Sequence, residues 1–421
     1  RVREVVPAGP VDARWKARAR RAAAGIRSDE LLTDIEKALE TATRDWTEPD
    51  PDARRHVILL TDGKVDVGKD PGPNQASRER IRAELLPRLK AHGAAVHTVA
   101  LSDDADHRLL KTLSRLTDGW SERTESAEDL DRVFLRLFEK SAPADQVPID
   151  EDNRFTVDDS VSDMTLLVFR APDAGPTRLV DPDGNLVAAR LPRPGVSWEQ
   201  ERRYDLVTVE DPAPGTWRID AKVDPDNRVM VVTNLRLAVD PLPNHHVQSQ
   251  PLAVVARLEE EGATVTRPGF LELVDFSVDA ARKGGEPRTT PLGDAGEPGV
   301  YTAAVDPGEG AGVLELRVLA KGATFTREFR HSVRIHESPA RVELREPAAP
   351  GAGARLEAAV TVALMEPDSV SVAYRPLDPP GAGAVAVPPA EAGEWHSTLP
   401  PELSGTMVEV QVEATRLDGQ P

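Results

Sequence analysis

The sequence predicts a multidomain fold, in which an α/β domain with a doubly wound, mostly parallel sheet precedes about three all-β sandwiches. Helical segments and short apolar strands alternate over residues 11–140. From about residue 143 the helical pattern stops, and short alternating strands punctuated by Pro, Gly and Asp follow. The length of 421 residues also exceeds that of one ordinary domain.

The α/β region begins with an amphipathic helix over residues 11–26. Its less polar positions recur at helical spacing between basic residues: Trp15, Ala19, Ala22, Ala23 and Ile26. We predict the following elements next: helix 31–46, strand 56–61, helix 75–91, strand 95–101, helix 105–117, strand 120–124 and helix 127–139. Strands separated by helices of this length imply parallel pairing, with helices covering both faces of the sheet.

The β region divides into three modules of similar length. Strands are predicted within residues 164–170, 217–223, 229–239 and 314–320. A turn glycine, any residue and an aromatic residue occur together three times, at Gly215–Trp217, Gly299–Tyr301 and Gly393–Trp395, which suggests an internal repeat or a common feature of β-strand starts. The predicted domains are 1–142, 143–240, 241–336 and 337–421, with short joints at 240–246 and 336–344.

Composition excludes several classes of function. There is no cysteine, so disulfides, thiol catalysis and zinc–thiolate sites are excluded. The net charge of -19 argues against a nucleic-acid partner and suits cations or basic surfaces, although solubility alone also explains it. No apolar run is long enough to cross a membrane. We find no nucleophile with a base at motif spacing and no phosphate-binding loop, so we expect no enzymatic activity.

Asp62 is the strongest candidate for a functional residue. It directly follows the apolar strand 56–61, and ligands bind beyond the carboxyl ends of strands in open parallel sheets. A plain Asp-Gly turn with Gly63 is the alternative. Thr33 stands three residues before Glu36 at the start of a helix, which predicts a capping box. A hydroxyl and a carboxylate are also hard ligands for Mg²⁺, Ca²⁺ or Mn²⁺.

Residues 1 to about 140 resemble a von Willebrand factor type A domain that lacks its first portion. The resemblance rests on Thr33-Asp34-Ile35, on "VILLTDG" at 57–63, on "AVHTVALS" at 95–102 and on "LLKTLSRLTDGWSERTES" at 109–126. It implies a metal-ion-dependent adhesion site, usually holding Mg²⁺, in which Thr33 and Asp62 match the second and third ligand loops. In this family the ion binds an acidic group of a partner protein.

The sequence departs from the family pattern at the first ligand loop. No Asp-x-Ser-x-Ser occurs before Thr33, and Asp103 and Asp104 follow a later strand and do not match it. We therefore expect the metal site of the parent protein to be weak or absent in this chain, whose upstream strand and targeting sequence are expected to be missing.

The β modules resemble immunoglobulin-like domains that follow A domains in bacterial exported proteins. Residues 179–219 also resemble the segment after the A domain in calcium-activated chloride channel regulators. These resemblances imply a non-enzymatic, extracytoplasmic binding or adhesion protein, with any membrane anchor outside this chain. One alternative is a structural stalk or scaffold whose function depends on the sandwiches and not on the α/β domain. Another is an accessory subunit of an intracellular metal-insertion or AAA-type machine.

Four other segments have more ordinary interpretations. We expect His245-His246 to lie in an exposed loop, and residues 181–185 to form a turn because an EF-hand would need Gly and Glu at positions held by Leu186 and Pro192. The acidic segment 150–160 predicts a solvated interdomain loop or a Ca²⁺ site. The basic run 14–21 predicts the polar face of a helix and not a nucleic-acid site.

Overall fold

The computed structural model describes residues 2–26, 32–50, 53–171, 174–191, 193–282, 284–338, 340–345, 355–360, 369–376, 384–391, 394–403 and 408–413. The chain divides into two compact units, residues 1–133 with 389–394 and residues 134–388 with 395–421. Within the described part of the chain, no helix is long and apolar enough to span a membrane.

The first unit alternates helices and strands, as the sequence predicts. Its elements are α1 (Ala13–Ala23), α2 (Ile35–Ala42), β1 (Arg55–Thr61), α3 (Pro71–Arg80), a π-helical turn (Ile81–Leu85), α4 (Leu86–Ala91), β2 (Ala94–Ala100), α5 (His107–Leu116), β3 (Ser121–Arg123) and the first half of α6 (Ala127–Ser141), whose second half belongs to the second unit. Gly93 adopts a positive φ of 62° between α4 and β2, as glycine often does just after the end of a helix.

The three strands form a parallel sheet in the order β1-β2-β3. β2 is buried along almost its whole length, whereas β1 is half-buried at every position before Thr61. The core between sheet and helices contains apolar side chains from five elements, among them Leu39, Ile81, Leu89, Val96 and Leu113. The parallel α/β prediction is therefore confirmed.

The first sandwich contains β4 (Asp145–Val147), β5 (Arg154–Val157), β6 (Val161–Phe169), β7 (Arg178–Val180), β8 (Leu186–Ala188), β9 (Val196–Gln200), β10 (Tyr204–Glu210), β11 (Gly215–Asp220) and β12 (Arg228–Thr233). One sheet has the order β5-β11-β7-β8, and the other contains β4-β12-β6-β10-β9. Alternate residues of these strands face a core that includes Phe155, Leu166 and Trp217.

The second sandwich contains β13 (Leu235–Val239), β14 (His245–Val247), β15 (Leu252–Glu260), β16 (Ala263–Thr264), the short helix α7 (Pro268–Leu271), β17 (Asp275–Arg282), β18 (Arg288–Pro291), β19 (Gly293–Asp294), β20 (Val300–Val305), β21 (Gly312–Lys321) and β22 (Thr326–His336). One sheet has the order β13-β15-β20-β19. Leu235 and Leu237 of β13 belong to this second core, so the segment 229–239 forms two strands in different sandwiches.

A single sheet runs through both of these sandwiches. Its order is β18-β17-β21-β22-β4-β12-β6-β10-β9, with β14 paired to β22. The three-residue strand β4 makes the connection, because Gln146 pairs with Glu328 of β22 on one side and with Met230 of β12 on the other. Continuous backbone hydrogen bonding therefore joins the two sandwiches.

Side-chain hydrogen bonds of a buried arginine also join the two sandwiches. Arg327 of β22 is 0% exposed, and its Nη1 and Nη2 donate to the two carboxylate oxygens of Asp158 at 2.6 and 3.1 Å. Nη2 also donates to Ser160 Oγ (2.7 Å) and Thr233 Oγ1 (3.0 Å) of the first sandwich, and Nε donates to Leu235 O at 2.9 Å. Burial raises the pKa of Asp158, but hydrogen bonds from Arg327 and Ser160 outweigh that effect and leave it below its usual value.

The third sandwich contains β23 (Ala340–Arg345), β24 (Arg355–Val360), β25 (Ser371–Pro376), β26 (Val385–Ala386), β27 (Pro389–Glu391), β28 (Glu394–Thr398), a 3₁₀ turn (Pro401–Leu403) and β29 (Val408–Glu413). β23, β24 and β28 pair in that order, and β25 lies between β26 and β29 in a second sheet. Leu356, Tyr374 and Trp395 are buried in its core. The prediction of β-sandwiches after the α/β region is confirmed.

The repeated glycine–aromatic motif has a steric basis in two of its copies. Gly215 and Gly299 have positive φ values of 130° and 81°, which side-chain-bearing residues rarely adopt. A Cβ would stand 2.8 Å from Pro182 Cβ in the first case and 2.2 Å from Val265 O in the second. Trp217 is buried and Tyr301 is half-buried. Gly393 lies outside the described residues.

His245 and His246 do not lie in an exposed loop, so that prediction is wrong. They belong to β14, which pairs in parallel with the last three residues of β22. His245 is buried. Its Nδ1 lies 3.0 Å from Nε2 of His336, with the two rings nearly parallel. The sequence Pro-Asn-His-His resembles a turn, but pairing with β22 satisfies the backbone and buries the first imidazole.

A nearby histidine makes the second unit sensitive to acid. Burial next to Lys140 lowers the pKa of His331 to about 3 from 6.5, although Nε2 donates to Pro243 O at 3.2 Å. The unfolded chain therefore takes up a proton near pH 6.5 that the folded chain refuses. The contribution of His331 to stability is therefore expected to be fully present above pH 6.5 and to be lost progressively as the pH falls toward 3.

We expect His331→Gln, which keeps a hydrogen-bond donor but does not titrate, to flatten this pH dependence. Urea denaturation at neutral and mildly acidic pH measures the effect. An equally steep loss of stability in the variant would assign the acid sensitivity to other groups.

Candidate functional site

The candidate site lies at the carboxyl edge of the parallel sheet. Thr61 is in register with Ala100, and Ala100 is in register with Arg123, so the three strands end level with one another. Leu101 N donates to Thr61 O at 2.9 Å, which extends the pairing by one more residue. The loops that follow the strands therefore leave from one edge, as expected for ligand-binding loops in such sheets.

Thr33 is held at this edge by its backbone. Its N–H donates to Asp66 O and its carbonyl accepts from Asp66 N, both at 2.9 Å. The predicted capping box is wrong, because Asp34 caps α2 by accepting from Lys37 N at 2.9 Å. Glu36 instead accepts from Arg80 at 2.6 and 2.8 Å. The Thr33 hydroxyl is therefore not used as the helix cap.

The Asp62–Gly63 turn packs directly against Thr33. A Cβ on Gly63 would stand 2.8 Å from the Thr33 hydroxyl oxygen, so only glycine fits without displacing that side chain. Thr61 Oγ1 closes the turn by accepting from Gly63 N at 3.2 Å and donating to Gly63 O at 3.1 Å. Asp62 itself is exposed. The structure thus brings the turn that carries Asp62 against the Thr33 side chain.

Ser102, which the sequence analysis did not single out, joins this edge. Its hydroxyl donates to the Asp62 carbonyl and accepts from Asp104 N at 3.1 Å. Ser102 comes just after β2, as Asp62 comes just after β1, so its position at the end of a parallel strand is a sequence signal for this site as well. Asp103 instead forms an ion pair with Arg123, whose pKa is raised by hydrogen bonding to Glu125 and by the charge of Asp103.

Asp62, Thr33 and Ser102 offer the type of ligand that a divalent cation binds, but too few of them to complete its coordination shell. One carboxylate and two hydroxyls are hard oxygen donors, which suit Mg²⁺, Ca²⁺ or Mn²⁺. Mg²⁺ requires six ligands in near-octahedral geometry, and several of them are often waters. Over the described residues, no three His, Cys, Asp or Glu side chains cluster at a spacing that could hold a metal ion. Thr33 and Asp62 could therefore supply part of a coordination shell.

The other acidic segments have structural roles. Asp150 Oδ1 accepts from the backbone N–H groups of Asp152 and Arg154, and Asp158 binds Arg327. In residues 181–185, Asp181 accepts from the N–H groups of Asp183 and Asn185, which forms the expected turn. Two of the carboxylates in the 150–160 segment are thus committed to hydrogen bonds within the protein.

Comparison with known proteins finds distant similarities among solved structures. No family model and no curated protein matches the chain. Among solved structures it is similar to a von Willebrand factor type A protein from Catenulispora acidiphila, with 14% identity and a TM-score of 0.27 over 80% of this chain. The chain spans 55% of the length of that protein.

Two further similarities are to structures made of several repeats or domains. A tetra-tandem repeat from the extending region of a large adhesion protein shares 14% identity, with a TM-score of 0.19, over 65% of this chain and 74% of that one. The FN1–FN3 domains of chicken CNTN1 share 11% identity, with a TM-score of 0.20, over 64% and 91%. These similarities say nothing about the activity of the chain.

Proposed function

We propose that this chain belongs to a non-enzymatic, extracytoplasmic binding protein that grips an acidic group of a partner protein through a divalent cation. The observation that carries the proposal is the packing of the Asp62–Gly63 turn against the Thr33 hydroxyl at the carboxyl edge of the sheet. Asp62 is exposed there, so an ion beside it is open to a ligand from outside. The ion is Mg²⁺ in this proposal, with Ca²⁺ or Mn²⁺ as substitutes.

Electrostatics supports a bridging ion. The chain has a net charge of -19, so an acidic partner is repelled unless a cation lies between the Asp62 carboxylate and the carboxylate of the partner. Mg²⁺ retains exchangeable water positions, and a partner carboxylate can replace one of them. Because Thr33, Asp62 and Ser102 supply few ligands, we expect this chain alone to bind the ion weakly, with half-saturation in the millimolar range or above.

Titration with Mn²⁺, followed by electron paramagnetic resonance, tests the proposal. We expect weak binding that Mg²⁺ displaces, and we expect Asp62→Ala to reduce it most because that change removes a ligand and its negative charge. Thr33→Ala should reduce it less. Asp70→Ala is the matched control, since Asp70 is an exposed carboxylate before α3 whose side chain makes no capping bond.

The result that would contradict the proposal is clear. If wild type, Asp62→Ala and Asp70→Ala bind Mn²⁺ equally, the ion is held by general surface charge and Asp62 is an ordinary turn residue. Asp66 is unsuitable as the control because its backbone forms the bridge to Thr33 and its Oδ1 accepts from Asn74.

A second candidate function is supported by the junction of the first two sandwiches. Tandem domains on flexible linkers move independently, whereas these two share a sheet through β4 and bury Arg327 against Asp158. Such a connection suits a stiff scaffold that holds a binding domain away from its attachment point. This function is compatible with the first, since a scaffold can carry the binding edge described above.

A further inference from the structure

The helix α1 has an unusual combination of charge and exposure. Its eleven residues carry five cationic side chains and no acidic one: Arg14, Lys16, Arg18, Arg20 and Arg21. All five are exposed, and the helix contributes no buried residue to the core. Helices that serve only to cover a core bury an apolar stripe, so core packing does not account for α1.

The helix is fixed locally by its own N-terminal segment. Asp12 caps it by accepting from Trp15 N at 2.7 Å, and Trp15 Nε1 donates to Pro7 O at 3.0 Å. Glu4 in the same segment forms an ion pair with Arg44 beyond α2. α1 is therefore held in place while its polar side remains exposed.

Four of these cations have no acidic partner among the described residues, namely Arg14, Lys16, Arg18 and Arg21. Elsewhere in the unit, basic side chains find carboxylates readily, as in Arg78–Asp106 at 2.6 Å and Arg80–Glu36 at 2.6 Å. The chain has 71 acidic and 52 basic residues, so carboxylates are abundant. Four cations without an acidic partner on one helix of such a chain point to an anionic ligand from outside.

Large aliphatic side chains are exposed in the same stretch of chain. Val11 and Ile26, on either side of the helix, are 62% and 68% exposed, and Val5 and Leu32 are 44% and 56% exposed. Carboxylates of a protein partner would pair with the arginines but would not bury these groups. The headgroup and upper acyl region of an anionic bilayer accommodates both kinds of side chain.

We propose that α1 and its flanking aliphatic side chains form a peripheral attachment surface for an anionic phospholipid membrane. The negative surface potential attracts the helix, and each cation near the surface strengthens binding roughly fivefold. The rest of the chain is acidic and is repelled, which restricts contact to this one surface. The inference is independent of the proposed cation site, because it requires neither a divalent ion nor Asp62.

Co-sedimentation with lipid vesicles, in EDTA, tests the proposal. We expect the protein to bind vesicles of phosphatidylcholine containing about one third phosphatidylglycerol, and not vesicles of phosphatidylcholine alone. Binding should be lost at high salt, because the Debye length shortens from about 10 Å at 0.1 M to about 3 Å at 1 M. Asp62→Ala should bind as wild type does, which separates this result from the proposed function.

Matched variants identify the surface. Arg14→Gln/Arg18→Gln/Arg21→Gln should weaken vesicle binding by about tenfold or more, whereas Arg190→Gln/Arg202→Gln/Lys222→Gln removes the same charge from exposed positions elsewhere and should not. Val11→Ser/Ile26→Ser should weaken binding without changing the charge. Circular dichroism checks that each variant is folded.

Three outcomes would overturn the proposal. These are no binding to the anionic vesicles, equal binding by the two triple variants, and binding to poly-glutamate without binding to vesicles. The last would assign α1 to an acidic protein partner.

Discussion

Asp158→Ala is expected to lower the free energy of unfolding of the second unit by about 3–5 kcal/mol. The change leaves the guanidinium of Arg327 fully buried without its counterion, and the desolvation penalty of an unpaired buried charge is large. Two hydroxyls and two backbone carbonyls remain as acceptors, but none of them carries a charge. Urea denaturation, followed by tryptophan fluorescence, measures the loss.

Asp159→Ala provides the control. Asp159 is the next residue, has the same charge and is exposed, so its replacement should change stability by no more than about 0.5 kcal/mol. The double variant Asp158→Ala/Arg327→Met removes both charges of this pair, and much of the lost stability should return. Equal losses in Asp158→Ala and Asp159→Ala would mean that the buried pair contributes nothing specific to the junction.

Gly299→Ala is expected to destabilise the second sandwich by about 2–5 kcal/mol. The left-handed backbone conformation, with φ at 81°, costs roughly 1–2 kcal/mol for alanine, and overpacking typically adds 1–3 kcal/mol. The overpacking is severe here, because the new Cβ would stand 2.2 Å from a backbone carbonyl oxygen, Val265 O, which belongs to the chain next to β16. Chemical denaturation measures the effect.

Gly296→Ala separates the two contributions. Gly296 lies three residues earlier and has a similar φ of 87°, but a Cβ there would meet no atom within 4 Å. Its replacement should therefore cost only the conformational term, about 1–2 kcal/mol. If both variants lose the same stability, the close approach to Val265 is relieved by movement of the chain and has no energetic consequence.

Much of the α/β unit could be predicted because its helices and strands leave recognisable patterns of apolar residues in the sequence. The run from Val57 to Leu60 predicts a strand in a covered parallel sheet, and β1 occupies 55–61. The position of Asp62 at the sheet edge follows from the same reasoning. The cap of α2 was misplaced by one residue, because both Thr33 and Asp34 are good capping residues and backbone pairing of Thr33 with Asp66 decided between them.

The junction between the sandwiches could not be predicted from local patterns. β4 has only three residues, too few to show an alternating pattern, and its role depends on partners 80 to 180 residues away in the chain. Arg327 lies in a strand where sequence rules place arginine at the surface, and only the three-dimensional position of Asp158 makes its burial possible. His245 was misassigned for the same reason, since its strand partner is β22.

The shared strand β4 also limits how this chain could have been assembled by recombination. Independent sandwich domains can be duplicated or exchanged singly, because each carries its complete sheets and core. Here a cut at residue 240 separates β13 from the second core and leaves Arg327 without Asp158. A copy of either sandwich alone would carry an open sheet edge or a buried charge. The pair of sandwiches, from β4 to β22, is therefore the smallest part of this region that keeps the shared sheet and the Arg327–Asp158 pair together.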